Sequence, residues 1–326
     1  MQTITTRLGT FSVQDMVERY GGGSIRAVIP APGTVIATPY GAFIPRSEAT
    51  DERTKTGASL EWYRDGALRS IILEKRTLVP TPAGKVLAEQ ILFYPGGAIK
   101  RVFPLCGRTS AYWTQEDEAG LLAPFGVSTP LGCITAKFLS LAFDKCGRLR
   151  SLTLFPGQIV DLPTPVGTMP TRIGAAFYPD GALRSVEPGR PTEVPTPAGR
   201  VLAFDPDATG ITGDVNSLQF DPAGRLTHVA TVRTRLTIQD QAGNEREILP
   251  AFRESLCGNS ETEPVAMSVS FEPGRVVVRR SPKEPEIACG VAANSGGFPV
   301  RAAILPPAGL FSSLGETNCH GAPVSF

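Results

Sequence analysis

The run Asp205-Pro206-Asp207-Ala208-Thr209-Gly210-Ile211-Thr212-Gly213-Asp214-Val215-Asn216 carries the most specific chemical spelling in the chain. Oxygen-bearing side chains at the first, third and fifth positions, followed by glycine at the sixth, resemble a calcium loop, in which hard oxygens converge on a hard cation. Asp205, Asp207 and Thr209 would then be ligands, Asp214 a further carboxylate, and calcium the ion. The twelfth position is Asn216 instead of a bidentate Glu, and no helical pattern flanks the run. The plainer reading is that Phe204-Asp205-Pro206-Asp207 is a worn copy of a turn that recurs elsewhere in the chain.

A second candidate is a row of cations. Arg26, Arg69, Lys100, Arg150 and Arg184 each stand three residues after a turn glycine, and Thr227 breaks the row. Stacked side by side they would form a ladder for phosphate, sulfate or carboxylate groups. Charged rows on strands also serve as solvated faces that deter edge pairing. The third candidate is Tyr112-Trp113-Thr114-Gln115-Glu116-Asp117-Glu118, where two aromatics beside Glu116 and Asp117 suit contact with a protein or glycan partner. Its structural alternative is a short helix capped by Thr114 and pinned to a sheet by the aromatics.

Hydrolytic machinery is sparse. Of two histidines, His228 occupies a strand position where other copies of the pattern have Ser70, Ser151 and Ser185, which marks it as structural. His320 follows Cys319, and adjacency in sequence does not bring their side chains together. Paired acids for glycoside chemistry meet only in the fold. No phosphate loop or dinucleotide fingerprint is present.

The elements that must position these residues are short strands cornered by glycine. In Phe177-Tyr178-Pro179-Asp180-Gly181-Ala182-Leu183-Arg184-Ser185-Val186, the Pro-Asp-Gly corner reads as a type I turn with a left-handed glycine at a bulge. Trp62, Phe93, Phe143, Phe177 and Phe220 stand four residues before Gly66, Gly97, Gly147, Gly181 and Gly224, and an aliphatic residue follows each glycine by two. A second corner, Thr-Pro-x-Gly, recurs at Thr38, Thr81, Thr129, Thr164 and Thr196, and Pro-x-Gly there suits the same turn with a bulge. Gln241-Ala242-Gly243 reads as a worn version of it.

The expected fold is therefore all-β. Antiparallel hairpin repeats of about 31 to 34 residues, as from Gly66 to Gly97 and from Gly147 to Gly181, form a layered, coiled or closed β-sheet array. Both strand faces around the turn are partly apolar, so a second layer must cover them. Residues 1–250 form the repeat region, and 251–326 a degenerate last repeat with a loop-rich cap. Insertions at Gly41 to Leu60, Leu105 to Ser128 and Phe204 to Ser217 interrupt the period and are the places to expect binding. Helical spacing is confined to Val13 to Arg19 and Thr114 to Leu122.

The spelling aromatic-Tyr-x-Asp-Gly-x-Leu-Arg-Ser resembles the hairpin repeats of bacterial MORN-type proteins, and Phe220-Asp-Pro-Ala-Gly-Arg-Leu-Thr is similar to a YD (Rhs-type) repeat. The likeness covers about eight residues of each turn. It implies a β-hairpin array used for binding or scaffolding, with no catalytic residues to carry over.

A non-catalytic binding or scaffolding protein is therefore expected, with a polysaccharide-acting hydrolase or lyase with an acidic cleft as the alternative. With 32 basic and 31 acidic residues there is no global field for nucleic acid. No apolar run is long enough for a signal core or a membrane span, so a cytoplasmic protein is expected. The six cysteines form no Cys-x-x-Cys pair and are expected as thiols.

Overall fold

The computed structural model describes residues 2–48, 53–55, 57–107, 113–209, 212–239, 244–255, 262–290 and 300–305. Its contacts divide into two compact units, Met1–Phe155 and Pro156–Ala322, a boundary that lies inside the expected repeat region. Each is built of antiparallel strands joined by hairpins, and one helix, Gln115–Leu121, occurs among the described residues.

The same two hydrogen bonds close the glycine corners. In the second unit Tyr178 N donates to Ala182 O at 2.8 Å and Gly181 N to Tyr178 O at 3.0 Å. The pattern is shared by the corners at Gly23, Gly66, Gly97, Gly147 and Gly224. All six glycines have φ between 77° and 92°, where a Cβ would clash with the backbone. Phe177 lies opposite Leu183 and Phe143 opposite Leu149, each beside a register shift, as the bulge requires.

The Thr-Pro-x-Gly corners are different and correct the expectation of a bulge. Thr164 pairs directly with Gly167, and Thr196 with Gly199, with no shift of register in either hairpin. The threonine hydroxyl supplies what a bulge would have: Thr164 Oγ1 donates to Gly167 O at 2.6 Å and accepts from Val166 N at 3.3 Å. Thr6 closes the same turn onto Gly9 without a proline. The Gln241-Ala242-Gly243 corner lies outside the described residues.

A second correction concerns Val13 to Arg19, where helical spacing is overridden. The segment belongs to the strand Gly9–Arg19, which pairs with both Gln2–Thr6 and Ile25–Pro30. Corners at both ends commit its backbone to ladder bonds, and Val13 and Val17 meet Pro30 and Val28 across the ladder. The other helical reading holds. Thr114 caps Gln115–Leu121 in a capping box with Asp117.

Several strands are buried on both faces over part of their length, shown by runs of consecutive buried residues such as Ile71, Ile72 and Leu73, or Leu152, Thr153 and Leu154. The position six residues after the corner glycine is one of these: Ile29, Ile72, Thr153 and Ala230 are all buried there. Successive corners within a unit are tied by phenols. Tyr20, Tyr63 and Tyr94 donate to the carbonyls of Trp62, Phe93 and Phe143, and Tyr178 to that of Phe220. Where Asp144 and Asp221 replace the tyrosine, the carboxylate instead folds back on its own turn and on Arg148 and Arg225.

Of the segment after residue 250, Met267–Glu272 and Arg275–Arg279 form a hairpin extended by Ile287–Gly290. Val300–Ile304 pairs with Thr234–Gln239. Cys106, Cys133, Cys146 and Cys289 are free thiols. Cys257, Cys319 and His320 lie outside the described residues. Among the described residues no helix is long and apolar enough to cross a membrane.

Candidate functional site

The second unit contains a cavity of about 370 Å³ walled by Asp205, Thr209, Thr212 and Asn216 from the insertion and by the strands beside it. Its geometry starts from a bulge. Arg172 pairs across the ladder with Glu187, and the register then shifts before Ala175 meets Val186. Within that shift Ile173 adopts φ 59°, the left-handed conformation, and lines the cavity. For a β-branched residue this conformation costs on the order of 1–2 kcal/mol, which the surrounding packing must hold in place.

Glu187 stands six residues after Gly181, the position that other hairpins give to the buried Ile29, Ile72, Thr153 and Ala230 and to the partly buried Phe103. Its side chain is 2% exposed. Ser217 donates to it twice, from its backbone N to Oε2 and from its hydroxyl to Oε1, each at 2.8 Å. Burial outweighs these bonds and, with the nearby charge of Asp205, pushes the Glu187 carboxyl up to about 7. Asp205 also lines the cavity, and burial holds it above the ordinary Asp value against the bond that the Asp207 backbone N donates to its Oδ1 at 2.9 Å. Arg172 neutralises neither carboxylate directly: its guanidinium lies over the Phe204 ring and donates to the Asp205 carbonyl.

Asn216 is 4% exposed and lines the same cavity. Its Nδ2 donates to Ser185 Oγ at 2.9 Å and to Gly213 O at 3.1 Å, while its Oδ1 is buried with no hydrogen-bond partner. His228 Nδ1 meets Ser270 Oγ at 2.9 Å, and burial holds its imidazole below the ordinary range, hence neutral near pH 7.

The proposed calcium ligands divide. Asp205 and Thr209 line the cavity. The Asp207 carboxylate is engaged by Arg253, at 2.9 Å from Nη1, and Asp214 offers its carbonyl to Arg184. Among the described residues no three His, Cys, Asp or Glu side chains are grouped to hold a metal. Of the cation row, Arg69 lies 4.0 Å from Glu61, Lys100 sits over the Tyr94 ring, Arg150 is exposed, and Arg184 is turned to Asp214.

In the first unit Glu116 and Asp117 lie exposed in the first turn of the helix, and Asp117 is occupied by the cap, its carboxyl lowered by the bonds from Thr114. Trp113 is half-buried, and Tyr112 lies outside the described residues. Behind the helix, Arg53 binds Glu118 and reaches Glu89 at 3.0 Å, with all three side chains largely buried. This arrangement holds the helix in place and offers no open carboxylate pair.

Sequence reading found the insertion, Asp205 and Thr209 but missed Glu187, and assigned His228 to the structure alone. The signal for Glu187 was its lone carboxylate in a column of uncharged residues. No protein-family model, curated protein or solved structure matches the chain.

Proposed function

We propose that the chain is a non-catalytic β-hairpin repeat protein that binds a small polar ligand in the cavity of its second unit. The observation that carries this reading is the Oδ1 of Asn216. A buried acceptor left without a donor costs about 1–3 kcal/mol, and a ligand N–H or O–H in the cavity would supply the missing donor. The bulge at Ile173 and the insertion both shape that same space. The likeness of the corners to MORN-type and YD-type repeats supports binding as the task of such an array.

The test is a thermal-shift screen of sugars, amines, anions and calcium on the full chain. At least one class should raise the melting temperature of the wild type, with the rise lost in Asn216→Ala and Glu187→Gln. A screen without a hit, or hits retained undiminished in both variants, contradicts the reading.

A second reading is favoured by a specific feature. Glu187 and Asp205 are two carboxylates in one cavity, and Glu187, poised near 7, is suited to exchange a proton at neutral pH. A polysaccharide-acting hydrolase or lyase would release reducing or unsaturated ends and lose that activity in both Glu187→Gln and Asp205→Asn. The deep burial of Glu187 suits an enclosed small molecule better than a polymer laid across a cleft.

A further inference from the structure

The cavity is rich in acceptors, and several of its donors are already in use, while the hydroxyls of Thr209, Thr212, Ser268 and Ser281, which also line it, can donate or accept. Gln219 gives its amide to the carbonyl of Asn216, and both donors of Ser217 go to Glu187. The cations nearby are committed too: Arg279 to Glu286, and Arg172 to the Asp205 carbonyl and the Phe204 ring. The acceptors are the Glu187 carboxylate, the Asp205 carboxylate, whose Oδ1 already accepts from Asp207 N at 2.9 Å, and the partnerless Oδ1 of Asn216. Among the described lining residues the charge is negative when both carboxylates are ionised, Glu187 and Asp205 standing against the single guanidinium of Arg279, itself paired with Glu286.

We propose that the ligand of this cavity is a primary amine in its ammonium form, held by the side chains of Glu187, Asp205 and Asn216. The assignment rests on the reading that the cavity is a ligand site. An ammonium carries three donors and no acceptor, which matches three acceptors in number and in kind. Calcium fits less well, because each Glu187 oxygen already accepts a bond from Ser217 and the bidentate edge that calcium favours is not open. An uncharged alcohol could satisfy Asn216 but would leave both carboxylates uncompensated.

Proton linkage provides a signature. The charged groups around Glu187 are Asp205, Arg172 and Arg279, and His228 faces the same cavity as a neutral imidazole. An ammonium must bind the ionised carboxylate. Below the apo value of about 7, binding therefore expels a proton, and affinity rises toward tenfold per pH unit before levelling off above it.

The probes are n-butylamine, its uncharged isostere n-butanol, and calcium chloride, titrated into the full chain by calorimetry in two buffers of different ionisation heat. Butylamine should bind at least about tenfold more tightly than butanol, release a proton on the acid side, and weaken at least about tenfold in Glu187→Gln and in Asp205→Asn. Butanol binding as tightly as butylamine, calcium binding while butylamine does not, or amine binding without proton release each overturns the assignment. If the wider screen finds a ligand that depends on Asn216 while butylamine fails, the ammonium assignment falls and the ligand site stands. If the wider screen also finds nothing, both fall.

Discussion

The phenol of Tyr63 donates to the backbone carbonyl of Phe93 at 2.8 Å, joining one glycine-cornered turn to the aromatic that opens the next hairpin. The bond recurs at 2.8 Å from Tyr20 to Trp62 and at 2.9 Å from Tyr94 to Phe143 and from Tyr178 to Phe220. Burial raises the Tyr63 hydroxyl above its ordinary value, so it stays a donor at neutral pH. Tyr63→Phe removes the bond and keeps the ring. It should cost about 0.5–1.5 kcal/mol by urea denaturation, and Tyr63→Phe with Tyr178→Phe should cost the sum, since the two sites share no partner.

Glycine at the corners is required by backbone shape, and at Gly147, Gly199 and Gly224 also by space, most tightly at Gly199. A Cβ on Gly97 meets nothing within 4 Å, whereas on Gly199 it would stand 3.1 Å from the Ala302 carbonyl. Gly97→Ala should therefore lose about 1–2 kcal/mol through the left-handed backbone alone. Gly199→Ala should lose more, and comparing their denaturation midpoints checks the order.

Arg53 in the first unit holds two carboxylates away from water. Arg53→Ala would leave Glu89, 7% exposed, without its bidentate partner, held only by the Cys106 amide at 2.8 Å and by Arg76 at 4.0 Å. The expected loss is about 3–5 kcal/mol, and it should shrink in the double variant Arg53→Ala, Glu89→Gln. A double variant as unstable as the single would show that packing, not charge, accounts for the loss.

Glu187 makes the second unit sensitive to pH in the opposite direction from a salt-bridged carboxylate. Its folded value of about 7 lies above the ordinary 4.5, so the folded state holds the proton more tightly than the unfolded state. Its contribution is fully present below about 4.5 and is lost as pH rises through about 7. Glu187→Gln keeps the shape without the charge. It should match the wild type near pH 4 and exceed it near pH 8 by up to about 3 kcal/mol. Equal stabilities across that range would contradict the buried, uncompensated carboxylate.

The hairpins were legible because their chemistry is local: Pro-Asp-Gly and Thr-Pro-x-Gly state their corners within four residues. The corner at Thr6 and Gly9 escaped because it lacks proline and relies on the threonine hydroxyl. Val13 to Arg19 misled because helical spacing over seven residues is a weak signal against ladders on both sides. The site was only half legible. The insertion carrying Asp205 and Asn216 announced itself by breaking the period, but nothing local shows that its Ser217 closes over Glu187, 30 residues earlier. The bulge at Ile173 is likewise a product of register and not of residue type.

The ligand cavity is tested most directly by following the Glu187 carboxyl carbon and the Asn216 side-chain amide by NMR while the screening set is added at about pH 7.5, where most of Glu187 is ionised. At least one compound should move both resonances together and saturably. If binding moves other parts of the protein while both resonances stay fixed, or if no compound moves either, the cavity is not the ligand site.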